Sequence, residues 1–338
     1  MNFAPSFVWV TWWVGLSLVI AFLGNIWRWL DPWRALFDAL VAMRLKPINM
    51  PWPHRWGIGL AVGLLLTWSW FEVVNPIAVV PRDLGVLALV WTLASLLGMF
   101  IFGADVWQTR VDFVAIYFAL IAKIGLEATS RKACTRTILE ANGYVGFVLA
   151  MLAIVLFDGL HGHPVWIFLE EQLQSLTPQW LNQQAYFAGT VGLLAVWGIF
   201  VLSYRLASGA LAKEFAPSLI PIAVAYLLAH NFSNLVIQGQ NVIFLLSDPF
   251  GVGWNVLGTA NFKPDSEIIN AKFTWYLSVS SIVIGHVLAV CFAHRTAQRI
   301  SGSAKQAAQK TWPLTVLMIA YTVLSLLIIA EPLVQASA

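Results

Sequence analysis

The stretch AYLLAHNFSNLVIQGQ, residues 225–240, decides how this chain folds. It is apolar enough to sit in a bilayer, yet His230, Asn234 and Gln238 recur at every fourth position. In an α-helix positions i, i+4 and i+8 share one face, so an imidazole and two carboxamides form a polar seam. Polar groups inside a membrane are costly and mark functional surfaces by default. The stretch therefore predicts a membrane-spanning helix that turns a chemically competent face inward.

The surrounding chain agrees with that environment. Of its 338 residues 59% are hydrophobic and only 10% charged, and the mean hydropathy is +0.77. A soluble domain carries about 25% charge, so the sequence predicts an integral membrane protein whose first partner is the lipid bilayer. The 18 Trp residues suit interfacial anchors. A formal charge of +3, with basic residues spread over several segments, predicts no nucleic-acid partner. Cys134 and Cys291 have neither metal nor redox spacing. No basic residue precedes the first apolar run, so no cleavable signal is expected.

Eight runs are long enough to cross about 30 Å of hydrocarbon: near 6–26, 56–74, 84–103, 141–157, 186–204, 217–238, 273–294 and 312–332. Of the 19 Lys and Arg, all but Arg82, Lys263 and Lys272 fall in segments 27–55, 104–140, 205–216 and 295–311. The positive-inside rule makes those segments cytoplasmic and puts both termini on the periplasmic side of an inner membrane. Residues 32–45, within the surface segment 28–46, read as a helix on the inner surface, capped by Asp31, with Pro32 in its first turn and a stripe of Trp29, Trp33, Phe37, Leu40 and Met43. Residues 105–123 hold too short an uncharged run to cross, so an interfacial or re-entrant segment is expected. The expected fold is an all-α polytopic bundle, residues 1–338 forming one membrane domain.

His230 and His286 fall on neighbouring spans and admit three chemistries: metal ligation, acid–base work and axial ligation of haem. His161 and His163 form an HGH triplet in an outer connection and are metal-ligand candidates. Asp158 and Asp248 also fall on the outer side, where a carboxylate with an imidazole would activate water. Asn234 and Gln238 are candidates for orienting a substrate. Tyr204, Tyr226 and Tyr276 read as belt or packing residues. No Gly-x-Ser-x-Gly elbow, HExxH helix, P-loop or CxxCH is present.

The segments GNIWRWLDPWRAL (24–36), LGMFIFGADVW (97–107), LFDGL (156–160), HNFSNLVIQGQ (230–240), LSDPFGVGW (246–254) and IGHVLAVCFAHR (284–295) resemble the bacterial integral-membrane fenitrothion hydrolase family. The resemblance runs through most of the chain and includes the blocks around His230, Gln238, Asp248 and His286; the HGH triplet lies outside them. It implies hydrolysis of an organophosphorus triester.

Two classes of function follow. In the first the chain is a metal-assisted phosphotriester hydrolase: His230, Asp158 and Asp248 are catalytic, Asn234 and Gln238 bind substrate, and a divalent metal is held by His230, His286, His161 or His163. In the second it is a non-hydrolytic membrane subunit or transporter, working beside other membrane-complex subunits. His230 and His286 then hold a b-type haem, a metal ion or a small polar ligand.

Overall fold

The computed structural model describes residues 3–75, 79–124, 132–182 and 186–337, except for the side chains of 132–135, 182 and 329–337. The described residues fold into helices joined by turns, with no strand among them. We label the principal helices α1 (Phe3–Leu23), α2 (Pro32–Ala42), α3 (Gly59–Val73), α4 (Pro81–Phe102), α5 (Ala104–Arg110), α6 (Phe113–Ile121), α7 (Tyr144–His161), α8 (Pro164–Leu176), α9 (Phe187–Ser208), α10 (Ile220–Gln238), α11 (Ala271–Ile300) and α12 (Ala304–Ser337).

Among the described residues, six helical stretches have the length and apolarity to cross a membrane: Phe3–Leu23, Pro81–Phe102, Tyr144–His161, Phe187–Gln238, Ala271–Ile300 and Ala304–Ile328. The chain is a multi-pass membrane protein. Two of the expected spans lie within the single stretch Phe187–Gln238, where tight 3₁₀ turns at Gly209–Leu211 and Ala216–Leu219 separate α9 from α10. The expected span at 56–74 is the 15-residue helix α3. At 1.5 Å per residue it covers about 22 Å, short of the hydrocarbon thickness.

The chain divides into two compact units. The first comprises Met1–Trp68, Pro76–Phe147 and Asn234–Ile268. Asp31 caps α2: its carboxylate accepts the backbone N–H groups of Trp33 (3.0 Å) and Arg34 (3.1 Å), and Pro32 occupies the first turn. Phe37 on α2 packs with Met99, Ala104, Trp107 and Val111. That contact needs Gly98, because a Cβ there would overlap the Trp107 ring. Trp29 and Met43, by contrast, are exposed.

Helices α5 and α6 are too short to cross. Phe113, Val114, Ile116, Tyr117, Phe118, Leu120 and Ile121 of α6 are all buried in the unit. Burial on every side is what an unbroken apolar run demands of a helix. Several tryptophans expected at interfaces are instead core residues of this unit. Trp13 stacks on Tyr117 at 4.8 Å, Trp27 meets Phe118 at 5.2 Å, and Trp12 and Trp13 both touch Trp68. Indole rings supply more contact area than any other side chain, and here they fill protein.

The second unit comprises Ser69–Asn75, Val148–Ser233 and Ile269–Ala338. Gly285, Ala289, Ala293 and Ala297 are buried at four-residue intervals along α11. Small residues at that spacing let helix backbones approach closely in membranes. At Gly285 a Cβ would overlap the Ala225 methyl of α10 and lie 3.0 Å from the Pro221 carbonyl. A hydrogen bond from Ser278 Oγ to the Ala229 carbonyl, 2.7 Å, joins the same helices. Those contacts set the depth at which the neighbouring His286 stands.

Candidate functional site

The polar centre of the second unit is built by two helices. Asp158 lies in the last turn of α7, and His230 lies on the part of α10 that belongs to this unit. Their side chains meet, with His230 Nε2 and Asp158 Oδ2 2.8 Å apart, and both are about one-third exposed. A carboxylate oxygen only accepts, so Nε2 carries the proton and donates it to Asp158. In neutral His230 the basic lone pair is then on Nδ1.

Two further residues shape this pair. Tyr226 is one helical turn before His230, and the two rings lie nearly parallel with centroids 6.4 Å apart. Its hydroxyl is buried, feels the charge of Asp158 and has Ser325 of α12 as its polar neighbour. Gly159 follows Asp158. A Cβ there would sit 3.3 Å from the Tyr226 hydroxyl, 3.2 Å from Ile328 Cγ2 and 3.7 Å from His230 Cε1.

His286 is elsewhere in the same unit. It is buried, and its Nδ1–H donates to the Ile282 carbonyl one turn earlier at 2.8 Å. That bond leaves Nε2 as a bare acceptor, buried and without a partner. His286 lines a cavity together with Tyr226, Tyr204, Tyr321 and Ser325.

The other residues predicted from sequence have different surroundings. Asn234 and Gln238 belong to the first unit and are exposed; the Gln238 carbonyl oxygen accepts from Asn241 at 2.8 Å. The amide half of the seam is thus turned outward and not enclosed. Asp248, also in the first unit, accepts the backbone N–H of Val252 (2.9 Å) on one oxygen and that of Gly253 (2.7 Å) on the other. Slight burial pushes its carboxyl up, but the N–H groups of Gly253, Val252, Trp254 and Gly251 outweigh it and hold the group below the ordinary carboxylate range. Asp248 closes its own loop.

The HGH triplet divides between two tasks. His161 stacks on Trp166, 6.0 Å between centroids, and meets the edge of Phe157. His163 caps α8, its Nδ1 accepting the Val165 N–H at 3.2 Å. Among the described residues, no three His, Cys, Asp or Glu side chains lie together as a metal site requires.

Sequence reasoning names Asp158 and His230 separately and misses Tyr226, Gly159 and Ser325. Tyr226 carries the signal that would have found it, a spacing of four from His230. Chemically, the assembled pair is a histidine base oriented by a carboxylate, at the end of an apolar helix. No protein-family model, no curated protein and no solved structure matches this chain.

Proposed function

We propose that the chain is a multi-pass inner-membrane hydrolase acting on small neutral esters, organophosphorus triesters among them. The observation that carries this reading is the 2.8 Å contact between Asp158 and His230. Asp158 fixes the imidazole and stabilises its charged form, while His230 Nδ1 takes a proton from water. The water oxygen bonds to phosphorus, the P–O bond to the leaving group breaks, and the proton held on His230 returns to solvent or to the departing oxide. Apolar esters concentrate in lipid, which suits a site at the end of a membrane helix. The resemblance of residues 24–36, 97–107, 156–160, 230–240, 246–254 and 284–295 to the fenitrothion hydrolase family supports the same reaction class.

The topology belongs to the same proposal. With α3 counted as a span and α9 and α10 counted separately, the chain crosses eight times with both termini periplasmic. Asp158 then stands at the periplasmic end of α7. Hydrolysis of fenitrothion by the purified protein in lipid nanodiscs tests the activity. Release of the nitrophenol by wild type, and its loss in His230→Ala, are the expected results. Equal rates in wild type and His230→Ala would remove the role given to His230. A haem Soret band in the purified wild type would instead favour a haem-binding subunit.

A further inference from the structure

We infer that residues 246–262 form a wedge seated in the membrane interface, with Phe250, Val252, Trp254, Val256 and Leu257 turned into lipid. All five side chains are exposed, Phe250 by 70% and Val256 by 69%. Soluble proteins rarely leave so much apolar surface to water in one place, and where they do it marks a protein or membrane contact. The loop that carries these side chains is ordered by its own hydrogen bonds.

Its backbone closes on itself in two halves. In the first, Asp248 Oδ1 accepts the N–H of Val252 (2.9 Å), Oδ2 accepts that of Gly253 (2.7 Å), and the Asp248 carbonyl accepts that of Gly251 (3.2 Å). Gly251 and Gly253 take positive φ, 68° and 89°, which lets the chain wrap around the carboxylate. In the second half the buried Ser247 takes over. Its carbonyl accepts the Val256 N–H at 3.1 Å, and its Oγ accepts the Leu257 N–H at 3.0 Å. Asn255 Oδ1 completes it, accepting from Ser247 Oγ and from the Ala260 N–H, each at 3.0 Å. A loop in water can leave its N–H groups to solvent, whereas one that enters a bilayer must pair them internally. No charged residue stands between Asp248 and Lys263.

Position selects lipid over a protein partner. The Gln240 carboxamide clamps the backbone of Asp265, Nε2 donating to its carbonyl at 2.9 Å and Oε1 accepting its N–H at 3.0 Å. Thr259 Oγ donates to the Ile243 carbonyl at 2.6 Å. The loop is thereby held against residues 240–243, directly after the membrane-length stretch Phe187–Gln238 ends, and the chain enters its next such stretch at Ala271. It lies at the level where a span leaves the hydrocarbon, which is where aromatic side chains concentrate. The Phe250 and Trp254 rings meet edge to face there, 5.7 Å between centroids. Lys263, Asp265 and Glu267 are exposed on the remainder of the connection and supply the polar side that an interfacial element needs. The inference rests on the membrane-spanning character of the chain and not on the hydrolase reading.

The test uses the full-length protein in phosphatidylcholine nanodiscs doped with a phosphatidylcholine that carries a diazirine in its acyl chain. Irradiation, digestion and mass spectrometry locate the adducts. The expected result is adducts within 249–257, at least about threefold above those within 263–270. Labelling of Pro81–Phe102 without labelling of 249–257 would overturn the inference. Hydroxyl radicals generated in the aqueous phase provide an independent measurement on the same sample. Phe250 and Trp254 should be protected from oxidation; strong oxidation of both would show a loop standing in water, free for a protein partner, and overturn the wedge. Asp248→Ala releases the N–H groups of Val252 and Gly253, so lipid labelling of 249–257 should fall at least about twofold. Unchanged labelling in folded Asp248→Ala would overturn the part given to Asp248. None of these readouts involves turnover, so failure of the hydrolase proposal leaves them intact.

Discussion

Asp158 Oδ2 and His230 Nε2 are 2.8 Å apart, although their helices are separated in the chain by α8 and α9. The contact sets the proton inventory of the imidazole: one N–H is committed to the carboxylate, and one lone pair remains for chemistry.

Replacing Asp158 by Asn keeps an acceptor for Nε2–H but removes the charge that stabilises the imidazolium. We expect kcat/KM for ester hydrolysis to fall by about 10²–10⁴, the usual contribution of an oriented base. His230→Ala should match it, and the double variant should lose little more, because the two act as a unit. Steady-state kinetics on the three variants checks this. Additive losses would show that the two residues work separately.

Asp112 supplies a pH dependence in the first unit. It caps α6, with one carboxylate oxygen accepting the N–H of Val114 and Ala115, each at 3.0 Å. The other oxygen is buried without a partner. Burial pushes this carboxyl up to about 7; the Ala115 and Val114 N–H groups oppose the shift, and the charge of Asp31 adds to it. The folded protein therefore holds the proton more tightly than the unfolded chain. The contribution of Asp112 to stability falls as pH rises from about 4 to about 7 and is constant above. The span from 3.8 to about 7 corresponds to roughly 4 kcal/mol. Asn caps a helix as well as Asp and carries no charge, so Asp112→Asn should raise the melting temperature at pH 8 and flatten its decline with pH. Thermal melts between pH 5 and 8 decide it.

Two glycine substitutions should move stability in opposite directions. In Gly98→Ala the new methyl overlaps the buried Trp107 ring, and overpacking of that kind costs about 1–3 kcal/mol. At Gly63 on α3 a Cβ meets nothing within 4 Å. There Ala should gain about 0.5–1 kcal/mol from its lower conformational entropy in the unfolded chain. Denaturant titration of both variants in one detergent measures the contrast.

The surface pair Arg34–Asp105 should matter little. Its atoms are 2.7 Å apart, but the Asp105 side chain is 90% exposed, and exposed ion pairs contribute about 0–1 kcal/mol. Asp105→Asn should shift the melting temperature less than either Gly98→Ala or Asp112→Asn, measured in the same buffer.

The helical, membrane-spanning character of the chain was legible because it rests on summed hydropathy, to which every residue contributes. Helix starts were legible where a side chain acts locally, as at Asp31 and Pro32. Local signals could not show which unit encloses a polar face. His230 is half-buried and meets Asp158 of α7, while Asn234 and Gln238, on the same face of the same helix, are exposed. Tryptophan misled for a related reason: Trp13 and Trp27 suit a lipid headgroup region and a packed core equally, and only the presence of Tyr117 and Phe118 nearby decides between them. Asp248 could be placed in a loop but not assigned a partner, since its partners are backbone N–H groups.

Gly159 bears on how much room the polar pair has. A methyl group there would press on Tyr226 and Ile328 and approach His230, leaving both members of the polar pair in the sequence while changing the space they share. On the proposed function, a single methyl at this position would impair the site without removing its acid or its base. In the hydrolase proposed above, the glycine after the aspartate would thus be as much a part of the site as the acid and the base.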